Sequence, residues 1–158
     1  MKKFVFTLLL VFVCHLGYAQ GINGLFNEFG SEKNADCVKV SSFMMSLGKM
    51  FAGHAEIIRK IKSIKVLDLE SCTASVKERF NKKVNKLNLK GYDELMRVND
   101  EGEKVRVLMK TKKETIRELL FVCTGKEDCT LVQINGKFTK DDIDKLVNQE
   151  TGKKHGRR

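Results

Sequence analysis

The sequence contains no proline and no tryptophan, and two tyrosines among its 158 residues. Without proline the chain has no prolyl bond, so no turn or site can depend on a cis-proline. The scarcity of these large aromatic rings argues against nucleic acid as a ligand, because binders of single strands stack bases on aromatic side chains. The apolar run from Phe4 to Val13 is about half as long as the roughly 20 residues of a membrane-spanning helix. These absences already exclude several classes of protein.

Sequence signatures of common catalytic and cofactor sites are also missing. His54 is the one histidine inside the predicted domain and lies between a helix end and an isoleucine run, so a cap or surface role fits it better than catalysis. No set of His, Cys and carboxylate positions has the spacing of a zinc site. Gly125-Lys126 lacks the upstream glycine of a phosphate-binding loop. The sequence therefore predicts no catalytic residue, no metal site and no cofactor.

Two groups of acidic residues have structural explanations. Asp141, Asp142 and Asp144 lack the alternating oxygen ligands and the glycine of a calcium loop, and they lie at a predicted helix start, where carboxylates are stabilised. Glu101 and Glu103 lie in a predicted turn that implies no pocket. We therefore assign neither group a role in metal binding or acid–base catalysis.

The first residues have the three-part pattern of a secretory signal peptide. Met1-Lys2-Lys3 gives a positive start before the apolar run, and Gly17-Tyr18-Ala19 supplies small residues at the offsets that cleavage requires. We expect cleavage between Ala19 and Gln20 to remove residues 1–19. The product is then expected to be periplasmic or secreted.

Cys14 offers a second interpretation of the same region, as a site of lipid attachment. A lipid-bearing cysteine normally follows a small residue, whereas Val13 precedes this one. We therefore expect Cys14 to leave with the signal peptide and not to anchor the protein. A fatty-acylated Cys14 in native material would contradict this interpretation.

Four of the ten excess positive charges lie at the very end of the chain. Two positive charges leave with the signal peptide, and the last six residues include Lys153, Lys154, Arg157 and Arg158. The folded part is therefore only mildly basic and offers no clustered basic face for nucleic acid. We interpret the tail as a solvated terminus, with weak contact to an anionic surface as the alternative. The partner is left open, and another envelope protein is one candidate.

Four cysteines remain after processing: Cys37, Cys72, Cys123 and Cys129. An even number in an exported chain favours disulfides, and four cysteines allow three pairings. The residues flanking Cys123 and Cys129 have strand-like patterns, so we predict a disulfide across a hairpin for this pair, which leaves Cys37 with Cys72. Free buried thiols and redox or metal chemistry are the alternatives, although no Cys-x-x-Cys or zinc-ribbon spacing is present.

Removal of 19 of the 158 residues leaves 139, enough for one domain with a real core. We divide them into an N-terminal arm at 20–34, a single α+β domain at 35–150 and the basic tail at 151–158. The arm is rich in glycine and asparagine. It is predicted to be irregular and docked by its aromatic side chains.

Helical periodicity dominates the first half of the domain. After a short strand at 36–40, an apolar stripe of helical spacing is formed by Phe43, Met44, Leu47, Met50 and Phe51. This spacing fits a core position better than a ligand or metal site. A short helix is predicted around 57–61, followed by a strand at 64–69. The clearest helix begins at 71–73, and its apolar stripe consists of Val76, Phe80, Val84 and Leu87. Gly91 is predicted to end it in a left-handed conformation.

Alternation with a period of two follows Gly91. It predicts strands at 92–98, 104–110, 115–123 and 129–136, whose short connections favour an antiparallel meander. In the second of these strands, Val105, Val107 and Met109 are predicted to form the buried face and the lysines and arginine between them the wetted face. The last helix is predicted to begin at a capping arrangement at 139–142, with Ile143, Leu146 and Val147 on its apolar stripe.

The predicted fold class is α+β. We expect a two-layer sandwich in which the N-terminal helices pack on an antiparallel sheet that contains the four-stranded meander, with a C-terminal helix at the end. The amphipathic helix stripes are expected to cover the apolar face of the sheet.

The segment Gly91-Tyr92-Asp93-Glu94-Leu95-Met96-Arg97-Val98 resembles a family of exported proteins from Gram-negative bacteria, known as domain of unknown function 4252. The similarity continues in Gly102-Glu103-Lys104-Val105, Met109-Lys110, Leu131-Val132-Gln133-Ile134-Asn135-Gly136-Lys137-Phe138 and Asp142-Ile143-Asp144-Lys145-Leu146. It extends over roughly 25–147. The resemblance implies an envelope address and an α+β domain, and it transfers no catalytic residues. The four cysteines lie outside its pattern.

The function predicted from the sequence is that of a non-enzymatic binding or scaffolding module of the cell envelope. The first alternative is an enzyme or a thiol-redox helper with a site assembled from dispersed residues, such as those around Cys37 or Cys72. The second is an interaction module that pairs an exposed sheet edge with another β-rich protein.

Overall fold

The computed structural model describes residues 21–41 and 55–145. In chain order the elements are α1 (Ile22–Phe29), β1 (Asp36–Ser41), α2 (Ala55–Lys60), β2 (Ile61–Asp68), α3 (Ala74–Lys86), β3 (Asp93–Asp100), β4 (Glu103–Lys112), β5 (Thr115–Thr124) and β6 (Thr130–Phe138). Helical residues 140–145 follow β6 and are called α4. Within these two ranges no helix has the length and apolar character needed to cross a bilayer.

Several sequence predictions lie outside the described residues. They are the signal peptide with Cys14 and its cleavage site at Ala19 and Gln20, the methionine-rich stripe at 43–51, His54, Leu146, Val147 and the basic tail.

The six described strands form one antiparallel sheet in the order β1-β2-β6-β5-β4-β3. The predicted α+β class is confirmed. Strands β3 to β6 hydrogen-bond in chain order, and β2 pairs with β6, so the first half of the chain extends the sheet formed by the second half. Strands β1 and β3 are the two edges.

Helices α1 and α3 pack on one face of the sheet, which we call the helix-bearing face. Its buried core consists mainly of Ile22, Leu25, Phe26, Phe29, Leu67, Leu69, Val76, Phe80, Val84, Leu108, Leu120, Val122 and Leu131. The rings of Phe29 and Phe80 join the two helices in an edge-to-face contact with centroids 5.4 Å apart. Burial of such side chains supplies the main favourable contribution to folding.

The segment predicted as an irregular arm forms helix α1. Its buried residues Ile22, Leu25, Phe26 and Phe29 recur at i, i+3, i+4 and i+7, which is the helical period. The expected docking by aromatic side chains is observed, because both phenylalanines enter the core. Packing of this apolar stripe therefore outweighs the low helix propensity of the glycine and asparagine residues.

The opposite face of the sheet, which we call the open face, carries helices α2 and α4 at one end. Ile57 of α2 and Ile143 of α4 pack there with Leu119, Ile134 and Phe138 in a second, smaller apolar cluster. The short helix predicted around 57–61 is present as α2, which begins two residues earlier than expected. The helices thus lie on both faces of the sheet, and the larger apolar core is on the helix-bearing face.

The alternation in β4 gives the predicted burial, since Val107 is buried, Val105 and Met109 are half-buried, and Lys104 and Lys110 are exposed. What differs from the expectation is the face that α1 and α3 cover. Leu108 enters the core beneath α1 and α3. Because successive side chains of a strand point to opposite faces, Val105, Val107 and Met109 lie on the open face. The positions predicted to be wetted lie on the helix-bearing face. Alternation defines two faces of a strand but carries no information about which one a helix covers.

Helix α3 has the predicted stripe, since Val76, Phe80 and Val84 are buried. It ends at Lys86, however, and not at Gly91. Leu87 takes an extended conformation, and its side chain packs against the core. Gly91 has a φ of 88° in the turn that leads into β3. Gly91 therefore belongs to the turn before β3 and does not end α3.

Helix α4 begins at the predicted capping arrangement. A carboxylate oxygen of Asp142, Oδ2, accepts hydrogen bonds from the backbone nitrogen and the hydroxyl of Thr139, at 2.8 and 2.9 Å. Lys60, the last residue of α2, donates to Oδ1 of Asp142 at 2.7 Å. Burial alone would raise the pKa of Asp142, but the bonds from Lys60 and Thr139 outweigh burial and lower it to about 2. The carboxylate ties α4 to α2.

Candidate functional site

The register of the sheet aligns one apolar side chain from each strand across the open face. This apolar row consists of Val38, Val66, Val132, Phe121, Val107 and Met96, each the direct cross-strand partner of the next. With neighbouring strands about 4.8 Å apart, the row is about 24 Å long. It extends without a polar interruption from one edge of the sheet to the other.

Two further rows flank the apolar row. The row toward α2 and α4 contains Val40, Ile64, Ile134, Leu119 and Met109 and ends at Asp93. The row on the other side contains Asp36, Asp68, Thr130, Cys123, Val105 and Val98. The open face is therefore apolar at its centre and becomes polar toward the end that lies away from α2.

Three of the six side chains in the apolar row are exposed, whereas Val66 and Val132 are half-buried and Val107 is buried. Val38 is 52% exposed, Met96 49% and Phe121 37%, and Val98 in the flanking row is 44% exposed. Single exposed apolar side chains are common, but contiguous apolar patches on protein surfaces typically mark interaction sites. This arrangement is the best candidate for a functional surface in the described part of the chain.

Two tight turns hold the register that creates the row. Strands β3 and β4 are joined by Glu101 and Gly102, with φ values of 45° and 92°, and β4 and β5 by Lys113 and Glu114, with φ values of 50° and 60°. Positive φ at both turn residues is typical of the hairpin turn that matches the twist of the strands. A slip by one residue would move every apolar side chain to the other face.

Charge is separated between the two faces of the sheet. The lysines and arginines in paired register lie on the helix-bearing face: Lys39, Lys65, Arg97, Lys104, Arg106, Lys110 and Lys112. The acidic residues in paired register on the open face are Asp36, Asp68, Asp93, Asp100 and Glu103. We use the name acidic border for the four at the end away from α2: Asp36, Asp68, Asp100 and Glu103.

The acidic border consists of two pairs of like charges. Asp36 lies directly opposite Asp68 across β1 and β2. Asp100 lies directly opposite Glu103 across β3 and β4. Like charges in such positions destabilise a sheet. In residues 21–41 and 55–145, no ion pair neutralises any of the four.

Glu94, an acid on the helix-bearing face, does have basic partners. Glu94 is bound by Arg97 and Arg106, with N–O distances of 2.7 and 2.8 Å. The hydrogen bonds from Arg97 and then from Arg106 lower the pKa of Glu94 to about 2. The contrast shows that the sheet can neutralise its acids internally where basic residues share their face.

A cleft lies at the corner of the acidic border and has a volume of about 560 Å³. It is lined by Asp100, Glu101, Gly102, Glu103, Lys126 and Glu127. Among the described residues, no group of three or more His, Cys, Asp or Glu side chains is arranged to hold a metal ion. We therefore treat the cleft as part of the acidic border, which contributes Asp100 and Glu103 to its lining.

The predicted disulfide between Cys123 and Cys129 is not formed in the structure, where both thiols are free. Cys123 is in register with Thr130. Cys129 comes one residue earlier, so its side chain points to the opposite face. It is buried beneath α3, where its Sγ lies 3.3 Å from Oδ1 of Asn81. An offset of one residue thus separates two thiols that are close in sequence.

The predicted pair of Cys37 and Cys72 is also free. Cys37 is exposed on β1, whereas Cys72 is buried before α3 and donates to the carbonyl of Lys33 at 3.5 Å. Burial raises the pKa of Cys72, and likewise those of Cys123 and Cys129. A raised pKa disfavours the reactive thiolate. Nothing in the described residues favours the thiol-redox alternative.

A polar cluster on the helix-bearing face is the other candidate site. Oε1 of Glu118 accepts hydrogen bonds from the hydroxyl of Tyr92 at 2.5 Å and from Nε2 of Gln133 at 2.7 Å. Burial, together with the hydrogen bond and charge of Glu118, raises the pKa of Tyr92, so its hydroxyl remains a neutral donor. Oε1 of Gln133 is buried without a hydrogen-bond partner among the described residues. With two donors on one oxygen, Glu118 is poorly placed to act as a general base.

A family model described as domain of unknown function (DUF4252) matches residues 29–146. The chain belongs to this family. The match covers the sheet and the start of α4 and includes the last residue of α1. The family resemblance inferred from the sequence is confirmed. Searches of curated proteins and of solved structures give no significant match.

The open face of this DUF4252 member was not predicted from the sequence as a functional surface. A signal was present in β5, where Leu119-Leu120-Phe121-Val122 is a continuous apolar run without alternation. Such a run is typical of a strand with apolar side chains on both faces. The cross-strand neighbours that turn separate strands into one row depend on register, which a single strand does not reveal.

Proposed function

We propose that the protein is an exported, non-enzymatic binding module whose open face binds an apolar segment of another envelope protein. The observation that carries the proposal is the apolar row, which crosses all six strands of the sheet and exposes Val38, Phe121 and Met96. Burial of apolar surface is the dominant driving force in most protein–protein association. The row provides such a surface on a rigid, hydrogen-bonded scaffold.

The shape of the surface favours a polypeptide over a small molecule. Small-molecule sites are usually concave and bury most of their ligand. The apolar row is instead an extended surface about 24 Å long on one side of a sheet. A helix of about 16 residues has the same length, since each residue adds about 1.5 Å. A partner segment of this size could span the row and contact its exposed members Val38, Phe121 and Met96.

The chemistry of the described side chains supports binding over catalysis. The buried thiols have raised pKa values, and Glu118 is engaged by two donors. Asp142 is held by Lys60 and Thr139 in a helix cap. These candidate reactive groups thus serve the fold, which leaves a recognition surface as the simplest use of the exposed residues.

Export is the part of the proposal that the N-terminal pattern and the family resemblance support. We expect sequencing of the native product to begin at Gln20, because Gly17-Tyr18-Ala19 has the small residues that a signal peptidase recognises. The sample should come from the periplasmic or extracellular fraction of the native host. A product that retains Met1 in the cytosolic fraction would refute export.

The binding surface can be tested by site-specific photocrosslinking in living cells. A photoreactive amino acid at Phe121 or Val38 is expected to crosslink to the same partner protein, because both positions are exposed on the apolar row. The matched controls are Lys39 and Lys104, which are exposed on the helix-bearing face. Crosslinks there should be absent or should involve other proteins.

The identified partner should then be purified and tested for direct binding. Phe121→Asn is expected to weaken binding by about tenfold or more, since a buried aromatic anchor contributes more than about 1.4 kcal/mol. Lys104→Gln should leave the affinity unchanged. The proposal fails if crosslinks from Phe121 and Val38 remain within the chain or if both variants bind equally well.

A further inference from the structure

We infer that the partner segment is cationic, with Lys or Arg side chains flanking its apolar stripe. This inference rests on the proposed function and specifies the chemistry of the partner. It follows from the acidic border, which lies beside the apolar row on the same face. The opposing surfaces of a specific interface usually have complementary charge.

The acidic border is electrostatically incomplete within the described chain. Asp36 opposes Asp68, and Asp100 opposes Glu103, so each acid has a like charge as its nearest cross-strand neighbour. Lys126 lines the same corner cleft, yet no ion pair joins it to either acid there. Cationic side chains of a partner would remove both repulsions at once.

The separation of charge between the faces supports the same conclusion. The protein has a net positive charge, yet the basic residues in paired register lie on the helix-bearing face. A partner guided by long-range attraction to an acidic surface would therefore approach the open face and avoid the other one. Recognition would combine a central apolar contact with a charged border that sets orientation.

Other occupants of the open face fit this charge pattern less well. An anionic lipid surface would be repelled by the acidic border. A second copy that stacked its open face on this one would bring further acids to a border that has no ion pair among the described residues. A partner segment with basic flanks satisfies both the apolar row and the acidic border, and it is the occupant we propose.

The inference can be tested with three synthetic helical peptides and the protein that begins at Gln20, without the predicted signal peptide. The peptides share one Leu and Ile stripe and differ in their flanking residues, which are Lys, Gln or Glu. We expect the Lys-flanked peptide to bind at least about tenfold more tightly than the Glu-flanked peptide at about 50 mM salt. The difference should shrink at about 500 mM salt, where exposed charges are screened. Fluorescence anisotropy measures each affinity.

A variant that neutralises the acidic border supplies the second arm. The combined substitutions Asp36→Asn, Asp68→Asn, Asp100→Asn and Glu103→Gln are expected to weaken the Lys-flanked peptide by about tenfold and to leave the Gln-flanked peptide unchanged. The control combines Glu78→Gln in α3 with Glu114→Gln in the turn between β4 and β5, two exposed acids outside the acidic border. Circular dichroism should confirm that both variants remain folded.

The outcomes separate the inference from the proposed function. Equal binding of all three peptides, abolished by Phe121→Asn, would overturn the cationic partner and leave the binding surface in place. Absence of binding by every peptide would count against both. Preferential binding to phosphatidylglycerol vesicles, or a concentration-dependent dimer that the border variant does not change, would also overturn the inference. Selective, salt-sensitive binding of the Lys-flanked peptide that requires the acidic border would support it.

Discussion

Replacement of Phe80 by alanine is expected to lower the free energy of unfolding by about 3–5 kcal/mol. Phe80 is fully buried at the centre of α3, and its ring contacts the ring of Phe29 edge to face. The substitution removes apolar contacts and leaves a cavity between α1, α3 and the sheet. Urea denaturation followed by circular dichroism gives the loss directly, and an unchanged m-value would show that the unfolding reaction is the same.

The matched control is Phe121→Ala, which makes the same chemical change on the open face. Phe121 is 37% exposed. We therefore expect a loss below about 2 kcal/mol, because less apolar surface returns to water. A loss for Phe121→Ala equal to or greater than that for Phe80→Ala would contradict the assignment of the two faces. The pair of variants thus tests the fold on which the binding surface depends.

The Asp142→Asn variant is expected to be less stable than the wild type by about 2–4 kcal/mol near neutral pH. The substitution removes the charge that pairs with Lys60 and weakens the cap formed with Thr139. The neighbouring exposed residue Asp144 provides the control, and Asp144→Asn should change stability by less than about 0.5 kcal/mol. Equal effects of the two substitutions would refute the role of Asp142 in joining α4 to α2.

The same variant should alter the pH dependence of stability. The folded-state pKa of Asp142 is lowered from 3.8 to about 2. Its contribution is therefore fully present above the unfolded-state pKa and is lost as the pH falls through the folded-state pKa. The difference in unfolding free energy between wild type and Asp142→Asn should be constant above about pH 5 and shrink between about pH 4 and pH 2. A difference that persists at pH 2 would contradict the lowered pKa.

Binding through the apolar row and pairing with an edge strand would use different parts of the sheet. From the sequence, one alternative was a partner strand that pairs with an exposed sheet edge. In the described sheet the two edge strands are β1 and β3. The exposed side chains of Val38 and Met96, however, belong to the apolar row and not to the edge backbone. A contact through the row uses all six strands at once, whereas edge pairing would use one.

Local patterns of the sequence predicted most of the elements. Thr139 and Asp142 lie three residues apart, and their side chains cap α4 as the spacing indicated. Alternation located the strands of the second half, and the stripe of Val76, Phe80 and Val84 located α3. These predictions succeeded because caps, helical stripes and strand alternation depend on residues that are near neighbours in the chain.

Predictions that depended on how the elements meet did not hold. Cys123 and Cys129 are separated by the sheet because Cys123 is in register with Thr130. Val105, Val107 and Met109 are more buried than Lys104 and Lys110, as expected, but they face away from α1 and α3, which were expected to cover them. In both cases the local pattern was present, but its direction depended on pairing with another part of the chain.

By itself the sequence determined the membership of the DUF4252 family, the α+β class and the positions of most helices and strands, since each follows from local spacing and motif order. Only the tertiary structure decided which face of the sheet the helices cover. It also decided that six apolar side chains form one row, partly exposed, on the same face as the acidic border. The physical reason is that strand register and helix placement arise from contacts between residues far apart in the chain, where the periodicity of each element leaves two orientations equally possible.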